Sequence, residues 1–530
     1  MVLIWHMLLT QPGYAGYRRM REIVNTTHRG EGKMTKRFLR CTTAIAALGF
    51  ATAAATGAQA QGATQGDIEI NWMMQGKFQP TYVGAEGLLG PSSLFTDAGV
   101  VQTDDEHVRT EMRYGASATG DDWKARLVFE SDFVIDINTA DRGGTTGNEF
   151  GIERADFTYE FNEGLNLEAG WAFKTLDIGT GGLLYGDDAP YIGFTGGQGS
   201  ISYEAYWMPI IEATASGNIP GRNALDVNEG EADTSVFAGK LNFDLGGGDR
   251  VSPLLAHSRN NQRSNTATWF GGEYVGNFGK LNVLAEALGV VGEFDGGANN
   301  VAFNPGVNVP AGGANLSNND IQAYAAYASA KYSMSDAFQP YASFRLNSGD
   351  DDPFDDDVEG WLGITDISRF SGHDGIDGGF FGMQPINSAL GSGLFGTAFD
   401  FAGPASGFLN RGGNGATFGG IQNSGSGLNP GQVRGTIGSS GNLSPNLSYH
   451  GQINALWYES TGGLEVLPNA QNDVSNFAGV QGTAQLKYAF NDYVSARAIA
   501  SVFDPGEGVD DAIGTDDTAG MGTVELLWSF

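Results

Sequence analysis

Short segments in which apolar and polar side chains alternate recur along nearly the whole chain, and no other feature restricts its fold as much. A period of two is the signature of a strand with two different faces. Val108, Thr110, Met112 and Tyr114 alternate with Arg109, Glu111 and Arg113, and Trp123, Ala125, Leu127 and Phe129 alternate with Lys124, Arg126 and Glu130. Ala155, Phe157, Tyr159 and Phe161 oppose Arg154, Asp156, Thr158 and Glu160; Leu165, Leu167, Ala169, Trp171 and Phe173 oppose Asn166, Glu168 and Lys174. Near the other end, Val480, Gly482, Ala484, Leu486 and Tyr488 oppose Gln481, Thr483, Gln485 and Lys487. Val494, Ala496, Ala498 and Val502 then oppose Ser495, Arg497 and Ser501, and a last run sets Val524, Leu526, Trp528 and Phe530 against Thr523, Glu525 and Ser529.

Each run is about ten residues long, which is what a tilted strand needs to cross the hydrocarbon layer of a bilayer. One face then meets lipid and the other meets water. Further segments of this kind lie at 68–83, 201–211, 236–245, 250–258, 268–278, 281–294, 321–334, 338–347, 433–439 and 448–458. The expected fold is all-β, a transmembrane antiparallel up-and-down β-barrel of about 16 strands, with 14 to 18 as the range. Connections at 162–164, 247–249, 279–280, 335–337 and 491–492 are very short, whereas the alternate connections are long and rich in Gly, Asp and Asn. Such asymmetry separates periplasmic turns from extracellular loops. A soluble sandwich or propeller also alternates, but tyrosine and tryptophan near the strand ends favour an interfacial girdle.

The N-terminal region predicts the same address. Lys36, Arg37 and Arg40 precede an apolar run over 44–55, and Ala58-Gln59-Ala60 supplies the small-residue pattern of a signal-peptidase site. The reading is an upstream extension over 1–33, a secretory signal over 34–60 opened by Met34, and one barrel domain over 61–530 with long loops at 350–431. Cleavage there removes Cys41, the only cysteine, and with it disulfides and cysteine metal sites. A formal net charge of −32 makes nucleic acid an unfavourable partner.

Face assignment puts a mixed set of charges inside the barrel. The expected pore-lining residues are Lys77, Arg109, Glu111 and Arg113, then Lys124, Arg126, Glu130, Arg154 and Asp156. They continue with Glu168, Lys174, Lys240, Lys331, Arg345, Lys487, Arg497 and Glu525. Most of the 61 acidic residues fall in loops instead, which makes the extracellular mouth acidic. A barrel of this size is expected to hold water and not a packed core.

Two loops stand out. Asp350, Asp351, Asp352, Asp355, Asp356, Asp357 and Glu359 offer the oxygen ligands that calcium takes, although the spacing is not that of an EF-hand and a solvated loop is the competing reading. No other cofactor is expected. The Gly-rich stretch 375–431 carries Phe380, Phe381, Met383, Leu394, Phe395, Phe399 and Phe401, so it either folds back into the barrel or packs as an outer lid. Catalysis is not expected: only His107, His257, His373 and His450 follow the cleavage site, and no GxSxG run is present.

The run Gln339-Pro340-Tyr341-Ala342-Ser343-Phe344-Arg345-Leu346-Asn347-Ser348-Gly349-Asp350-Asp351-Asp352-Pro353 resembles the strand and SGDDDP loop of the alginate-export-like porins of Gram-negative outer membranes. The resemblance implies a monomeric or trimeric outer-membrane barrel whose last strand, ending at Phe530, is recognised by the barrel-assembly machinery. It also implies passage of small solutes, or of an acidic polysaccharide through a basic pore. Here the inward acids, once Asp67, Glu69, Glu160, Asp244 and Glu286 are added to the five above, number ten and nearly match the twelve inward bases. The expected function is therefore a passive diffusion channel for small polar or ionic solutes, with polysaccharide export and a non-conducting structural or adhesive barrel as alternatives.

Overall fold

The computed structural model of the chain describes residues 63–65, 68–84, 104–136, 145–176, 183–211, 234–260, 265–294, 319–352, 357–361, 363–364, 372–374, 430–465, 473–514, 516 and 518–530. A short β1 (Ala63–Gln65) precedes β2 (Ile68–Gly84), β3 (Asp104–Thr119), β4 (Trp123–Asp136), β5 (Thr145–Asn162), β6 (Leu165–Thr175) and β7 (Gly186–Gln198). Next come β8 (Ile201–Ile211), β9 (Thr234–Gly246), β10 (Asp249–Asn260), β11 (Asn265–Phe278), β12 (Leu281–Phe294), β13 (Asn319–Tyr332) and β14 (Gln339–Asn347). The two-residue β15 (Asp357–Val358) is followed by β16 (Gln432–Ser444), β17 (Leu447–Trp457), helix α1 (Gly462–Glu465), β18 (Phe477–Ala489), β19 (Val494–Pro505), helix α2 (Glu507–Ile513) and β20 (Ala519–Ser529).

Leaving aside β1 and β15, each strand pairs antiparallel with the next, and β14 pairs with β16. The ring closes where β20 lies antiparallel to β2, with Gly76 opposite Trp528 and Lys77 opposite Leu527. Met74 and Phe530 complete this seam with reciprocal backbone hydrogen bonds of 3.1 and 2.8 Å. Closure removes the edges that would otherwise leave backbone groups unpaired in hydrocarbon. The barrel has 18 strands against an expectation of about 16. The segments named from sequence number 17, one above that figure and within its range of 14 to 18, and account for all but β7, where Pro190 and Gly193, Gly196 and Gly197 blur the alternation. Proline ordinarily argues against an interior strand.

Face assignment follows from exposure. Met74, Phe78, Tyr114, Phe270, Leu486, Val502 and Leu526 are exposed outward, whereas Lys77, Glu111, Gln485, Arg497 and Glu525 on the same strands are buried inward. An aromatic ring marks the end with short turns: Phe161, Phe278, Tyr332, Phe338, Tyr488, Phe490, Tyr493 and Phe530 are all exposed there. Tyr493 stacks on Phe530 at 5.7 Å and Tyr488 meets Phe490 edge-on at 5.1 Å. An oily outer wall bounded by aromatic rings is the surface of an outer-membrane barrel, and the chain is built for the bacterial outer membrane.

One expectation fails. The lumen is not wholly aqueous: Leu176, Leu183, Leu184, Tyr185, Trp361 and Ile364, from loops, pack with inward residues of β6–β13 such as Met208, Val236, Trp269, Val290 and Tyr327 in one buried apolar cluster. Small inward residues on these strands, Ala238, Ala256, Ala267 and Ala323 among them, leave the room that the loop side chains fill.

Close strand approach sets another constraint. Gly170 on β6 has φ +140°, and a Cβ there would collide with the carbonyl oxygen of Ala155 on β5. Gly170→Ala is expected to lower stability by about 1–3 kcal/mol, read as a lower urea midpoint in detergent micelles with unchanged slope.

Candidate functional site: the inner wall and the loop docked on it

Strand register places inward charges of opposite sign side by side. Lys77 lies opposite Glu111, Arg113 opposite Glu130, Arg126 opposite Asp156 and Arg497 opposite Glu525. Each register pair is an ion pair: Lys77 Nζ reaches Glu111 at 2.5 Å, Arg126 reaches Asp156 at 2.7 Å, Arg497 reaches Glu525 at 2.5 Å, and Arg113 contacts Glu130. Arg113 also meets Glu111 at 3.3 Å and Glu153 at 2.9 Å, and Glu153 meets Arg154 at 3.0 Å, so β2 to β5 share one charged network. Further round, Lys174 donates to Glu168 at 2.7 Å and lies over the rings of Tyr191 and Tyr206 at 3.9 and 4.5 Å. Such a cation–π contact helps hold an ammonium that cannot be fully hydrated. Lys240 reaches Glu273 at 3.0 Å and Glu204 at 3.8 Å, and Arg250 reaches Glu273 at 3.9 Å.

Within these pairs the cation and anion are not equally accessible. The Arg126 side chain is 44% exposed against 15% for Asp156, Arg113 31% against 11% for Glu111, and Arg250 41% against 0% for Glu273. In these three pairs the guanidinium faces the solvent while its carboxylate sits against the wall, whereas Lys77, Lys174 and Lys240 are less exposed than Glu111, Glu168 and Glu204, and Arg497 is buried with Glu525. Lys124 is also exposed, at the turn end of β4. Lys331 is half-buried between Asn282 and Tyr341 in register, and Arg345 is buried with its Nε 3.4 Å from Asn347 Oδ1. Lys487 lies opposite Arg497. The side chain of Arg109 lies outside the described residues.

Sequence reasoning missed several partners. Glu153 sits at a bulge between β4 and β5, where the alternation slips. Glu204, Arg250 and Glu273 do follow the period of their strands and are legible once a face is assigned. Arg434 likewise follows the period of β16 with Gln432 and Thr436, whereas Asp374 has no local signal at all.

Those two belong to a clip. Gly372–Asp374 forms a single 3-10 turn, contributed by the connection between β14 and β16, that rests on the inner wall. Tyr327 donates to Asp374 Oδ1 at 3.0 Å, Ser343 to Oδ2 at 2.6 Å, and Arg434 to Oδ2 at 2.8 Å. Charge-assisted bonds of this kind are about twice as strong as neutral ones. Beside it, His373 Nε2 is 2.6 Å from Asn282 Oδ1 and Nδ1 is 3.0 Å from the Ser329 hydroxyl. Burial, with Lys331 nearby, lowers the His373 pKa to about 4. Trp361 and Ile364, from the same connection, join the apolar cluster; the Trp361 indole donates to the Leu183 carbonyl at 3.3 Å.

The acidic loop brings no metal-binding set together among the described residues. Asp350 is buried and accepts from the Glu359 amide at 3.1 Å, Asp351, Asp352 and Asp357 are exposed, and Asp355 and Asp356 lie outside the described residues. So do the aromatic residues of 375–429. Among the histidines, His450 meets the Tyr341 hydroxyl at 2.5 Å and His257 meets Thr268 at 3.0 Å; the side chain of His107 is not described.

No protein-family model and no curated protein matches the chain, so the resemblance to alginate-export-like porins rests on the loop motif alone. Among solved structures, OccAB3 of Acinetobacter baumannii aligns over 87% of this chain and 99% of its own, with 7% identity and a TM-score of 0.47. OccK2 (OpdF) of Pseudomonas aeruginosa, solved in complex with glucuronate, aligns over 87% and 98%, with 11% identity and a TM-score of 0.46. A BenF-like porin from Pseudomonas fluorescens Pf-5 covers the same shares at 8% identity and a TM-score of 0.46. The likeness to these three structures is one of fold alone.

Proposed function

We propose that the chain is an outer-membrane porin through which small polar or ionic solutes diffuse passively, along a lumen of mixed charge below an acidic extracellular mouth. The observation that carries this reading is the inner wall: Arg113, Arg126 and Arg250 keep solvent-accessible guanidinium groups inside a closed cylinder. Charge accessible inside a barrel needs water there, since an unhydrated ion in hydrocarbon costs many kcal/mol. Rings of charge in such a space bias which solutes enter. A passage lined by both signs, with Arg113, Arg126 and Arg250 nearer the water than their carboxylates, fits small polar and acidic solutes better than a polymer.

Planar-bilayer recording of refolded residues 61–530 tests the reading. Stepwise conductance is expected, with reversal potentials in a potassium chloride gradient showing moderate anion preference. A barrel that inserts and never conducts would instead be structural or adhesive, and acidic polymer that blocks from one side at low concentration would revive the export reading.

A further inference from the structure

At the mouth that carries the short turns, the inner wall of β8–β11 encloses a cavity of about 400 Å³. Ser202 on β8, Asn242 and Asp244 on β9, Asp249 and Arg250 at the start of β10, and Val275 on β11 line it. A volume of this order is that of a small-molecule site. Asn242, Asp244 and Val275 share the inward parity of Lys240 and Glu273 farther along the same strands, so the cavity opens to the lumen and not to lipid.

Strand register sets Asp244 opposite Arg250, yet the two form no ion pair with each other. The cause is a bulge. The register shifts between Asp249 and Arg250, which aims the guanidinium past Asp244 toward Glu273 on β11. There its contact is long, 3.9 Å, because Lys240 already holds Glu273 at 3.0 Å. Arg250 Nε has no hydrogen-bond partner among the described residues. Across the cavity, Asp244 Oδ1 accepts from the Gly246 amide at 2.8 Å, which anchors the carboxylate through one oxygen and leaves the other for a guest. Asn242 Oδ1 accepts from the Ser252 hydroxyl at 2.8 Å, so its Nδ2 hydrogens are also available.

An anchored cation and an anchored carboxylate, both open to solvent and not spent on each other, are the electrostatic complement of a molecule that carries both charges itself. An anion alone would gain Arg250 but meet Asp244 and Asp249, and a cation alone would gain the carboxylates but meet Arg250. A zwitterion gains on both sides.

We propose that this cavity binds a small zwitterion whose carboxylate and ammonium share one carbon, as in a free amino acid. The carboxylate accepts from Arg250 and Asn242, the ammonium donates to Asp244, and Val275 leaves one wall apolar. The site adds a solute class to the channel reading and rests on that reading only for the route by which the solute arrives.

The test uses glycine, with acetate and methylammonium as its two halves. Each is carbon-13 labelled and titrated at low salt with refolded residues 61–530 in nonionic micelles, and binding is read from the broadening of the ligand signal. Glycine is expected to bind about tenfold tighter than either half, the worth of one further charge-assisted hydrogen bond. Asp244→Asn is expected to weaken glycine by about tenfold and to erase its advantage over acetate; Arg250→Gln is expected to do the same relative to methylammonium. Asp244 is exposed, and Glu273 keeps Lys240 when Arg250 is replaced, so both variants are expected to fold. Should Arg250→Gln fail to fold, Asp244→Asn decides alone. Glycine bound no tighter than acetate by the wild type, or bound equally by wild type and Asp244→Asn, overturns the site. Because binding is read without current, the two readings part: glycine held by a barrel that never conducts keeps the site and removes the channel, whereas a conducting barrel indifferent to glycine keeps the channel and removes the site.

Discussion

Replacing Arg497 with Met is expected to destabilise the barrel by about 3–5 kcal/mol, because it leaves a carboxylate buried without its guanidinium. Glu525 has only 1% of its surface exposed and receives two bonds from Arg497, at 2.5 and 2.7 Å. The pair joins β19 to β20, one strand from the closing seam, and Lys487 lies on the far side of Arg497 in register. The measurement is urea-driven unfolding in micelles, read through the slower gel migration of the unfolded form. In the double variant Arg497→Met/Glu525→Leu most of the loss is expected to return, since replacing both charges removes the desolvation cost together with the attraction. Equal stability of the single variant and wild type would mean that water reaches Glu525 freely.

Charge reversal at Arg126 is the second large effect. Among the described ion pairs its guanidinium is the most exposed inward cation, and Arg126→Glu would set two carboxylates together at Asp156. A change of two charges acting over about 10 Å at an effective dielectric constant of about 20 is worth about 3 kcal/mol, or about 1 kcal/mol after physiological screening. Anion entry should fall and cation entry rise by roughly fivefold each, so the anion-to-cation permeability ratio should fall by roughly 25-fold, and the reversal potential in a salt gradient should move toward the cation limit. High salt should shrink the difference. An unmoved reversal potential would show that the permeating path bypasses β4.

What the amino-acid sequence reveals about this molecule tracks how strongly lipid constrains each position. Arg113 and Tyr114 cannot exchange faces without placing a guanidinium in hydrocarbon, so β3 can be read by eye. On β7 the inward positions are Tyr191, Gly193 and Thr195, hardly more polar than Ile192 and Phe194 outside, and the strand is missed. The inward alanines of β9–β13 suit lipid and lumen alike, and so do not disclose that a loop is packed against them. Ion-pair partners depend on register, and a one-residue bulge such as the one beside Glu153 is invisible to periodicity. The clip is the extreme case. Asp374 and Arg434 are 60 residues apart, and nothing local to either announces the other.

Closure between β2 and β20 has a consequence for how such a molecule comes into being. A ring possesses no terminal member: whichever ribbon arrives last must be gripped from left and right at once. Until Phe530 has met Met74, every ladder elsewhere belongs to a curled ribbon with two raw margins, and assembly is complete only when the first strand of the ring finds the last.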